Sequence, residues 1–246
     1  MAGMASLIRR NAPIDCSIAV TAMLVAACLL YLSLPRFQAD LAMQSGNRIK
    51  AIYLQSLRDD GIQMPSAAEL EVWAMSRHDA LAWYDSADAW EDLVLINTLR
   101  AWQSDISQER RELYSQAKQN ALHALARNPG SGLLWLRLAV IDSNMGQPAP
   151  VVLVSLSKSI DTALYEPQGF YNRLMLGFRY WAAASPELRE QLLQQLPLMA
   201  VAQDWNGIKK LAAHYPAQIP MMRQRLQDTP RALAAIDKAE ANLARP

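Results

Sequence analysis

Residues 14–34 of this chain have the sequence IDCSIAVTAMLVAACLLYLSL, an apolar run that follows two arginines and is closed by Pro35 and Arg36. At about 1.5 Å of rise per residue, a helix of this length covers roughly 30 Å, which is the hydrocarbon thickness of a bilayer. The sequence therefore predicts a transmembrane helix at residues 14–34, preceded by a short cytoplasmic tail at residues 1–13.

Two other interpretations of the apolar run stay open. A cleaved secretory signal needs a shorter apolar core and a small-residue cleavage site. Residues 25–28, Val-Ala-Ala-Cys, are similar to a lipoprotein box in which Cys28 would carry the lipid. The apolar run continues past Cys28 through Leu32, however, where a processed lipoprotein turns polar. We favour an uncleaved anchor, because a run of this length spans a bilayer without processing.

The charges around the run give a nearly balanced positive-inside signal. The tail carries Arg9 and Arg10, whereas the far side carries Arg36, Arg48 and Lys50. A tail this short most often stays inside. We therefore expect a single-pass protein of the inner (cell) membrane whose remaining domain lies in the periplasm and whose neighbours include the lipid bilayer.

The rest of the chain is long enough for one domain with a full core. Its 24 basic and 23 acidic residues give a net charge of +1, with no basic stripe, so we expect no nucleic-acid partner. The two cysteines, Cys16 and Cys28, both lie in the predicted anchor. The domain therefore has no thiol for a disulfide or a thiolate metal site, which suits a periplasmic or a cytoplasmic compartment equally.

Helix signals are dense after the anchor, and alternating strand patterns are nearly absent. Residues 35–64 are predicted as a helical linker with a turn at Asp59-Asp60-Gly61. Ser66 and Glu69 have the spacing of a capping box at the start of the next helix. Further helix starts are expected at Ser86, Ser185-Pro186, Asp204 and Thr229-Pro230. Helix ends are expected at Asn128-Pro129-Gly130, Gly146-Gln147-Pro148, Pro167-Gln168-Gly169 and Tyr215-Pro216.

A degenerate repeat becomes visible when the chain is aligned on Pro129 and Pro167, which are 38 positions apart (167 − 129). Small residues occupy equivalent positions before the two prolines: Ala117, Ala121 and Ala124 match Ser155, Ser159 and Thr162. After the prolines, Trp135 matches Arg173, Leu138 matches Leu176, Ala139 matches Gly177, and Asp142 matches Tyr180. The pattern is typical of tetratricopeptide hairpins, whose usual period is about 34 residues.

We therefore predict an all-α protein in which a single N-terminal transmembrane helix precedes a tetratricopeptide-like α-hairpin array. The repeat domain would cover residues 65–215, and residues 216–246 would form C-terminal capping helices and a tail. Four side chains recur at helical spacing and would line a partner-binding groove, although burial under the next hairpin is an equal alternative: Tyr171, Leu174, Phe178 and Trp181.

The seven tryptophans could form a sugar-stacking platform, but packing between helices is the favoured interpretation. The densest polar cluster is formed by His78, Asp79, Asp85, Asp88, Glu91 and Asp92. Paired carboxylates in it could serve acid–base chemistry. A solvated helix face is the simpler explanation, because Asp88 and Asp92 follow Asp85 by three and seven positions and so lie on the same face of a helix. We assign no catalytic residue, no metal ligand and no cofactor, and we expect no enzymatic activity.

Several short segments resemble bacterial exopolysaccharide-cluster proteins of the VpsP type. They are residues 65–69, Ala101-Trp102, 117–129, 135–139, 165–167, Leu176-Gly177 with Trp181, and 185–189. The likeness covers roughly residues 15–215. Proteins of that family have one membrane helix followed by tetratricopeptide-like helices, and they are encoded with polysaccharide synthesis and export machinery. The chain departs from the family form at residues 146–150 and after Tyr215.

The resemblance implies a non-catalytic scaffold or accessory role, with components of polysaccharide synthesis or export as partners. The family has no catalytic residues that could be carried over. Three other functions stay open: a periplasmic chaperone-type repeat protein, a structural subunit of a larger membrane complex, and, less favoured, an enzyme acting on glycans.

Overall fold

The computed structural model describes residues 4–56 and 63–243, with side chains from residue 19 onward. Within those residues all regular structure is helical and no strand occurs, which confirms the all-α prediction. The predicted turn at Asp59-Asp60-Gly61 lies outside the described residues, and so do the side chains of Arg9 and Arg10. The chain forms two compact units, unit 1 at Met1–Ala89 and unit 2 at Trp90–Pro246.

Unit 1 contains a long helix, α1 (Met4–Ser56), and a shorter one, α2 (Ala67–Trp83). The predicted anchor and residues 35–56 of the predicted linker fall on one continuous helix, because α1 runs unbroken through residues 14–34 to Ser56. Every side chain from residue 19 to residue 34 is exposed. Among the described residues, α1 alone is long and apolar enough to cross a membrane.

The helix α2 packs in antiparallel fashion on the second half of α1. The Arg36 guanidinium lies 5.7 Å from the ring centroid of Tyr84, near the end of α2. Seven positions further along α1, the carbonyl oxygen of Met43 accepts a hydrogen bond of 2.8 Å from Arg77, which lies in the middle of α2. The residue numbers rise on α1 as they fall on α2, which fixes the antiparallel register.

Close approach and a buried cation hold this register. A Cβ on Gly46 would lie 2.3 Å from the Ser76 hydroxyl oxygen, so only glycine lets the two backbones come this near. Arg77 is fully buried and also donates to the Asn47 side-chain oxygen over 2.6 Å. The predicted capping box starts α2, with the Ser66 amide donating to the Glu69 carboxylate over 2.8 Å. The hydrogen bonds from the Ser66 amide and the Ser66 hydroxyl lower the pKa of the Glu69 carboxyl below its ordinary value.

Unit 2 is a succession of short helices that begins within α3, whose first turn belongs to unit 1. The helices are α3 (Ala87–Gln103), α4 (Ser107–Arg127), α5 (Gly132–Asn144), α6 (Ala149–Thr162), α7 (Phe170–Arg179), α8 (Pro186–Val201), α9 (Trp205–His214), α10 (Ile219–Arg225) and α11 (Pro230–Leu243). Single 3-10 turns lie at Trp181–Ala183 and Pro216–Gln218. The expected caps form at Ser86, Ser185 and Asp204, and α11 begins at Pro230.

The helix α5 is shared by two apolar clusters of unit 2. Leu134, Leu138 and Ile141 pack with α4 and with the part of α3 that belongs to unit 2. Leu136 and Ala139, on another face of the same helix, pack into the larger cluster that α6 to α11 build. The small residues of the predicted repeat lie at these contacts, since Ala117, Ala121, Ala124, Ser155 and Ser159 are all buried. Thr162 differs, because it is exposed.

A close contact between backbones lies between α5 and α6. A Cβ on Gly132 would lie 2.6 Å from the Ala163 Cβ and 2.9 Å from the Ser159 carbonyl oxygen. A similar approach joins α7 to α8, where a Cβ on Gly177 would lie 2.4 Å from a Leu192 methyl carbon. Consecutive helices therefore form α-hairpins whose contacts depend on residues without a side chain. Membership of these hairpins in the tetratricopeptide class stays a prediction.

Arg173, the repeat equivalent of Trp135, is a fully buried cation at the junction of α6, α7 and α8. Its guanidinium donates to the Ser159 hydroxyl over 3.0 Å and to the Ser159 carbonyl over 2.8 Å. It also donates to the Gln195 side-chain oxygen over 3.1 Å. Burial lowers the pKa of Arg173, and the nearby charge of Glu166 opposes that shift. Three helices are thereby joined through one side chain.

The described part of the C-terminal region, up to Leu243, is mainly helical. The helices α10 and α11 pack on α8 and α9, and their apolar residues Met222, Ala232 and Ile236 belong to the larger cluster. Arg223 bonds to Asp237 and Glu240, which raises its pKa. The predicted domain boundaries at residues 65 and 215 stay predictions, and the compact units divide between Ala89 and Trp90.

The close contact at Gly132 can be tested against a glycine two positions away. We expect Gly132→Ala to lower the free energy of unfolding by about 1–3 kcal/mol, because the new methyl group meets the Ala163 Cβ and the Ser159 carbonyl oxygen. The matched variant Gly130→Ala, whose Cβ would meet nothing closer than 3.9 Å, should change it by less than about 0.5 kcal/mol. Urea unfolding of the full chain in detergent, followed by circular dichroism, measures both; equal effects would contradict the prediction.

Candidate functional site

The four predicted groove residues, three on α7 and one on the 3-10 turn that follows it, do not form a common surface. Leu174 and Phe178 are buried, with 0% and 4% of their surfaces exposed. Phe178 lies edge-to-face against Trp181, with ring centroids 5.7 Å apart, and against Tyr215 at 5.6 Å. These two side chains therefore do not line an open groove and instead have the position of the equal alternative, burial under the following helices, because α8 and α9 cover this side of α7.

The other two residues of the predicted groove are half-buried against the same apolar cluster. Burial raises the pKa of the Tyr171 hydroxyl, and the charge of Asp204 raises it further. The Arg189 guanidinium lies 5.5 Å from the Trp181 ring centroid and donates to the Trp181 carbonyl. Both side chains are thus engaged within unit 2, and the sequence could not show this because the covering helices lie later in the chain.

The tryptophans differ widely in exposure. Trp73 is fully buried, and four others are half-buried beside their neighbours: Trp90, Trp135, Trp181 and Trp205. Some ring faces are covered by cations of the same chain, as where the Lys158 ammonium lies 4.4 Å from the Trp135 ring centroid. Trp83 and Trp102 are instead more than half exposed. Packing between helices therefore accounts for five of the seven tryptophan side chains.

The side chains of the acidic cluster differ in exposure, although their spacing predicts one solvated helix face. Asp85 and Asp88 are exposed, as a solvated face requires. Glu91 forms an ion pair with Arg137 over 2.7 Å. Asp92 has only 3% of its surface exposed and shares the buried side of α3 with Ala89 and Ile96, so the solvated-face prediction is wrong at that position. No group of three or more potential metal ligands occurs among the described residues.

A cleft in unit 2 is formed where α4, α5 and α6 meet. It is a shallow depression of about 440 Å³ that is largely open to solvent. The residues that line it come from all three helices: Lys118, Leu138, Asp142, Pro150, Val151, Val154 and Ser155. We call this the α4–α6 cleft.

One ion pair lies in the α4–α6 cleft. The Lys118 ammonium is 2.7 Å from a carboxylate oxygen of Asp142. The Asp142 side chain is 2% exposed, whereas that of Lys118 is 29% exposed. An ammonium carries three donors, so Lys118 can hold Asp142 with one of them and still reach an acceptor in the cleft. The cleft therefore suits a carboxylate or a carbonyl oxygen on a bound molecule.

The rim of the cleft is apolar and open to solvent. Val151 and Val154 lie three positions apart on α6, and 41% and 58% of their surfaces are exposed. Pro150 precedes them in the first turn of the helix. Exposed apolar side chains beside a single charged group are the usual composition of a site that binds a peptide segment or an amphipathic helix.

Sequence reasoning missed this cleft, although a signal was present. The match of Asp142 to Tyr180 in the repeat alignment placed Asp142 at an inward position, where a carboxylate needs a partner. The Val-Val-Leu-Val run at residues 151–154 has a strand-like composition within a helical pattern. Neither feature by itself indicates a pocket, because Lys118 lies 24 positions before Asp142.

No family model, no curated protein and no solved structure matches this chain. The candidate site consequently stands on its geometry alone. The cleft offers an apolar rim, one partly exposed ammonium and a buried carboxylate that this ammonium neutralises. This arrangement can bind a partner through apolar contact and one charge-assisted hydrogen bond.

The energetic role of the ion pair can be tested with a single and a double variant. We expect Lys118→Met to lower the free energy of unfolding by on the order of 3 kcal/mol, because it leaves the Asp142 carboxylate buried without its cation. The double variant Lys118→Met/Asp142→Leu should recover most of the loss, since it removes both charges. Urea unfolding in detergent compares the three proteins, and a double variant no more stable than the single one would contradict this account.

Proposed function

We propose that this protein is a membrane-anchored, non-catalytic binding module that holds a segment of a partner protein in the α4–α6 cleft. The cleft is the observation that carries the proposal, because it presents the exposed Val151 and Val154 beside a charged side chain. The partner segment would be apolar on one face and would supply a carboxylate or carbonyl oxygen to Lys118. The anchor would be α1, inserted in the inner membrane with unit 2 in the periplasm.

The physical advantage of such a module is tethering. Fixing a binding site to the bilayer raises its effective concentration near membrane partners without any new contact. The exposed apolar side chains of residues 19–34 support the anchor, because apolar surface of this extent is unfavourable in water. A non-catalytic role is supported by the dispersal of the acidic cluster, in which Asp85 and Asp88 are exposed while Asp92 is buried.

The proposed partners are components of bacterial exopolysaccharide synthesis or export. This part of the proposal rests on the resemblance to VpsP-type proteins, which are encoded beside such machinery. Membrane proteins of that machinery would have periplasmic loops or helices that a periplasmic module tethered to the same membrane could reach. The tetratricopeptide-like character of the hairpins belongs to the same proposal.

Site-specific photo-crosslinking tests the cleft as the binding site. A benzophenone amino acid at Val154 of the full chain, activated in native membranes, should capture a partner that mass spectrometry identifies. The same probe at Val201, an equally accessible valine at the end of α8, should not capture it. The variant Val154→Asp, treated with an ordinary chemical crosslinker in place of the benzophenone probe, should capture about tenfold less partner. Its stability should change little, because residue 154 is exposed.

The identity of the captured protein decides between the functions. Glycosyltransferases, a flippase or an export protein would support the polysaccharide proposal. Translocon or folding factors would instead establish a chaperone-type role, and one stoichiometric membrane complex would make the chain a structural subunit. Equal capture from positions 154 and 201 would remove the cleft as the binding site.

The proposed topology predicts opposite behaviour for two C-terminal reporter fusions. Alkaline phosphatase, which is active only outside the cytoplasm, should be active when joined after residue 246. A green fluorescent protein that folds only in the cytoplasm should stay dark at the same position. The reverse result would place the domain inside the cell, in accord with the nearly balanced charges on the two sides of the anchor.

A further inference from the structure

Two exposed aromatic residues end α2 in unit 1. Trp83 is the last residue of the helix and has 56% of its surface exposed, and Tyr84 follows with 42% exposed. The Arg36 guanidinium lies 5.7 Å from the Tyr84 ring centroid. Large aromatic side chains are costly to leave in water, so their position within unit 1 calls for an explanation.

The antiparallel register of α1 and α2 determines where these aromatics lie. Tyr84 is level with Arg36, the first charged residue after the apolar run. The exposed side chains of Leu34 and Phe37 lie within about 3 Å of that level along α1, at about 1.5 Å per residue. The end of α2 therefore coincides with the end of the apolar surface of α1.

The chemistry of this level is that of a membrane–water boundary. Tryptophan and tyrosine concentrate at both faces of a bilayer, where the ring enters the acyl boundary and the polar group stays among the headgroups. An arginine at the same depth extends its guanidinium toward the headgroups while its methylenes cover apolar surface. Beyond Tyr84 the chain becomes acidic, and the exposed Asp85 and Asp88 disfavour deeper entry.

We propose that Trp83 and Tyr84 form a second membrane contact, inserted in the interfacial layer of the bilayer into which α1 is anchored. This inference rests on the proposed anchoring of α1. The contact would hold α2, and with it the α1–α2 hairpin, at a fixed height and tilt on the membrane surface. The occupant of this aromatic surface is lipid, because Tyr84 lies against Arg36, two positions beyond the exposed apolar side chains of residues 19–34.

Depth-dependent fluorescence quenching tests the contact in the full chain. The protein is reconstituted in phosphatidylcholine vesicles with or without bromine atoms on the upper acyl chains, and tryptophan emission is compared. Trp83→Phe keeps an aromatic ring but removes the fluorophore. Relative to this variant, the unmodified chain should show additional quenching of about one-seventh of its emission, since Trp83 is one of seven tryptophans.

A relocated tryptophan provides the control. In Trp83→Phe/Met75→Trp the exposed fluorophore moves eight positions back along α2, about 12 Å away from the proposed interface. Met75 has the same exposed fraction as Trp83, 56%, so the two sites differ in height rather than in accessibility. The relocated tryptophan should not be quenched by the brominated lipid.

The outcomes separate this inference from the anchoring on which it rests. Alkaline extraction and vesicle flotation establish first whether the chain is embedded. An embedded chain with loss of quenching on Trp83→Phe, and no recovery in the relocated variant, supports the contact. An embedded chain whose quenching is the same in all three proteins overturns the contact and leaves the anchor intact. A chain that does not float with the vesicles overturns both.

Discussion

The organisation of unit 1 depends on a change of surroundings along one continuous helix. In the first part of α1 whose side chains the structure describes, every residue from 19 to 34 is exposed. The second part is covered by α2, which removes Ala39, Gly46 and Tyr53 from solvent. The side chains of residues 19–34 are thus uncovered, whereas the inner side of the later part of α1 packs against α2. A bilayer around the first part would give each part an environment in which its side chains are stable.

Buried arginines join helices in both units. Arg77 links α2 to the Met43 carbonyl and the Asn47 side chain of α1. Arg173 links α7 to Ser159 of α6 and to Gln195 of α8. A guanidinium has five donors in a planar fork, so it can satisfy several carbonyl and hydroxyl oxygens at once. Lysine could not replace either residue without leaving buried acceptors without a donor.

Local signals carried most of the secondary structure. The caps at Ser66, Ser185 and Asp204 could be predicted because a capping bond spans only three residues. Contacts between distant helices could not be predicted in the same way. The burial of Phe178 depends on helices that follow it, and that of Asp92 depends on which side of α3 faces inward. The α4–α6 cleft needs Lys118 and Asp142 together, which only the folded chain provides.

The fixed register between α1 and α2 connects the packing of unit 1 to its position on a membrane. A slip by one residue would shift α2 by about 1.5 Å and rotate its side chains by about 100°. Such a slip would drive the Ser76 side chain away from Gly46 and break the hydrogen bonds of Arg77. The height of Trp83 relative to the apolar run is therefore set by contacts about two turns away on α2. In a bilayer around the apolar run, this packing constraint inside the hairpin would determine which side chains meet the headgroups, and the apolar run alone could not specify them.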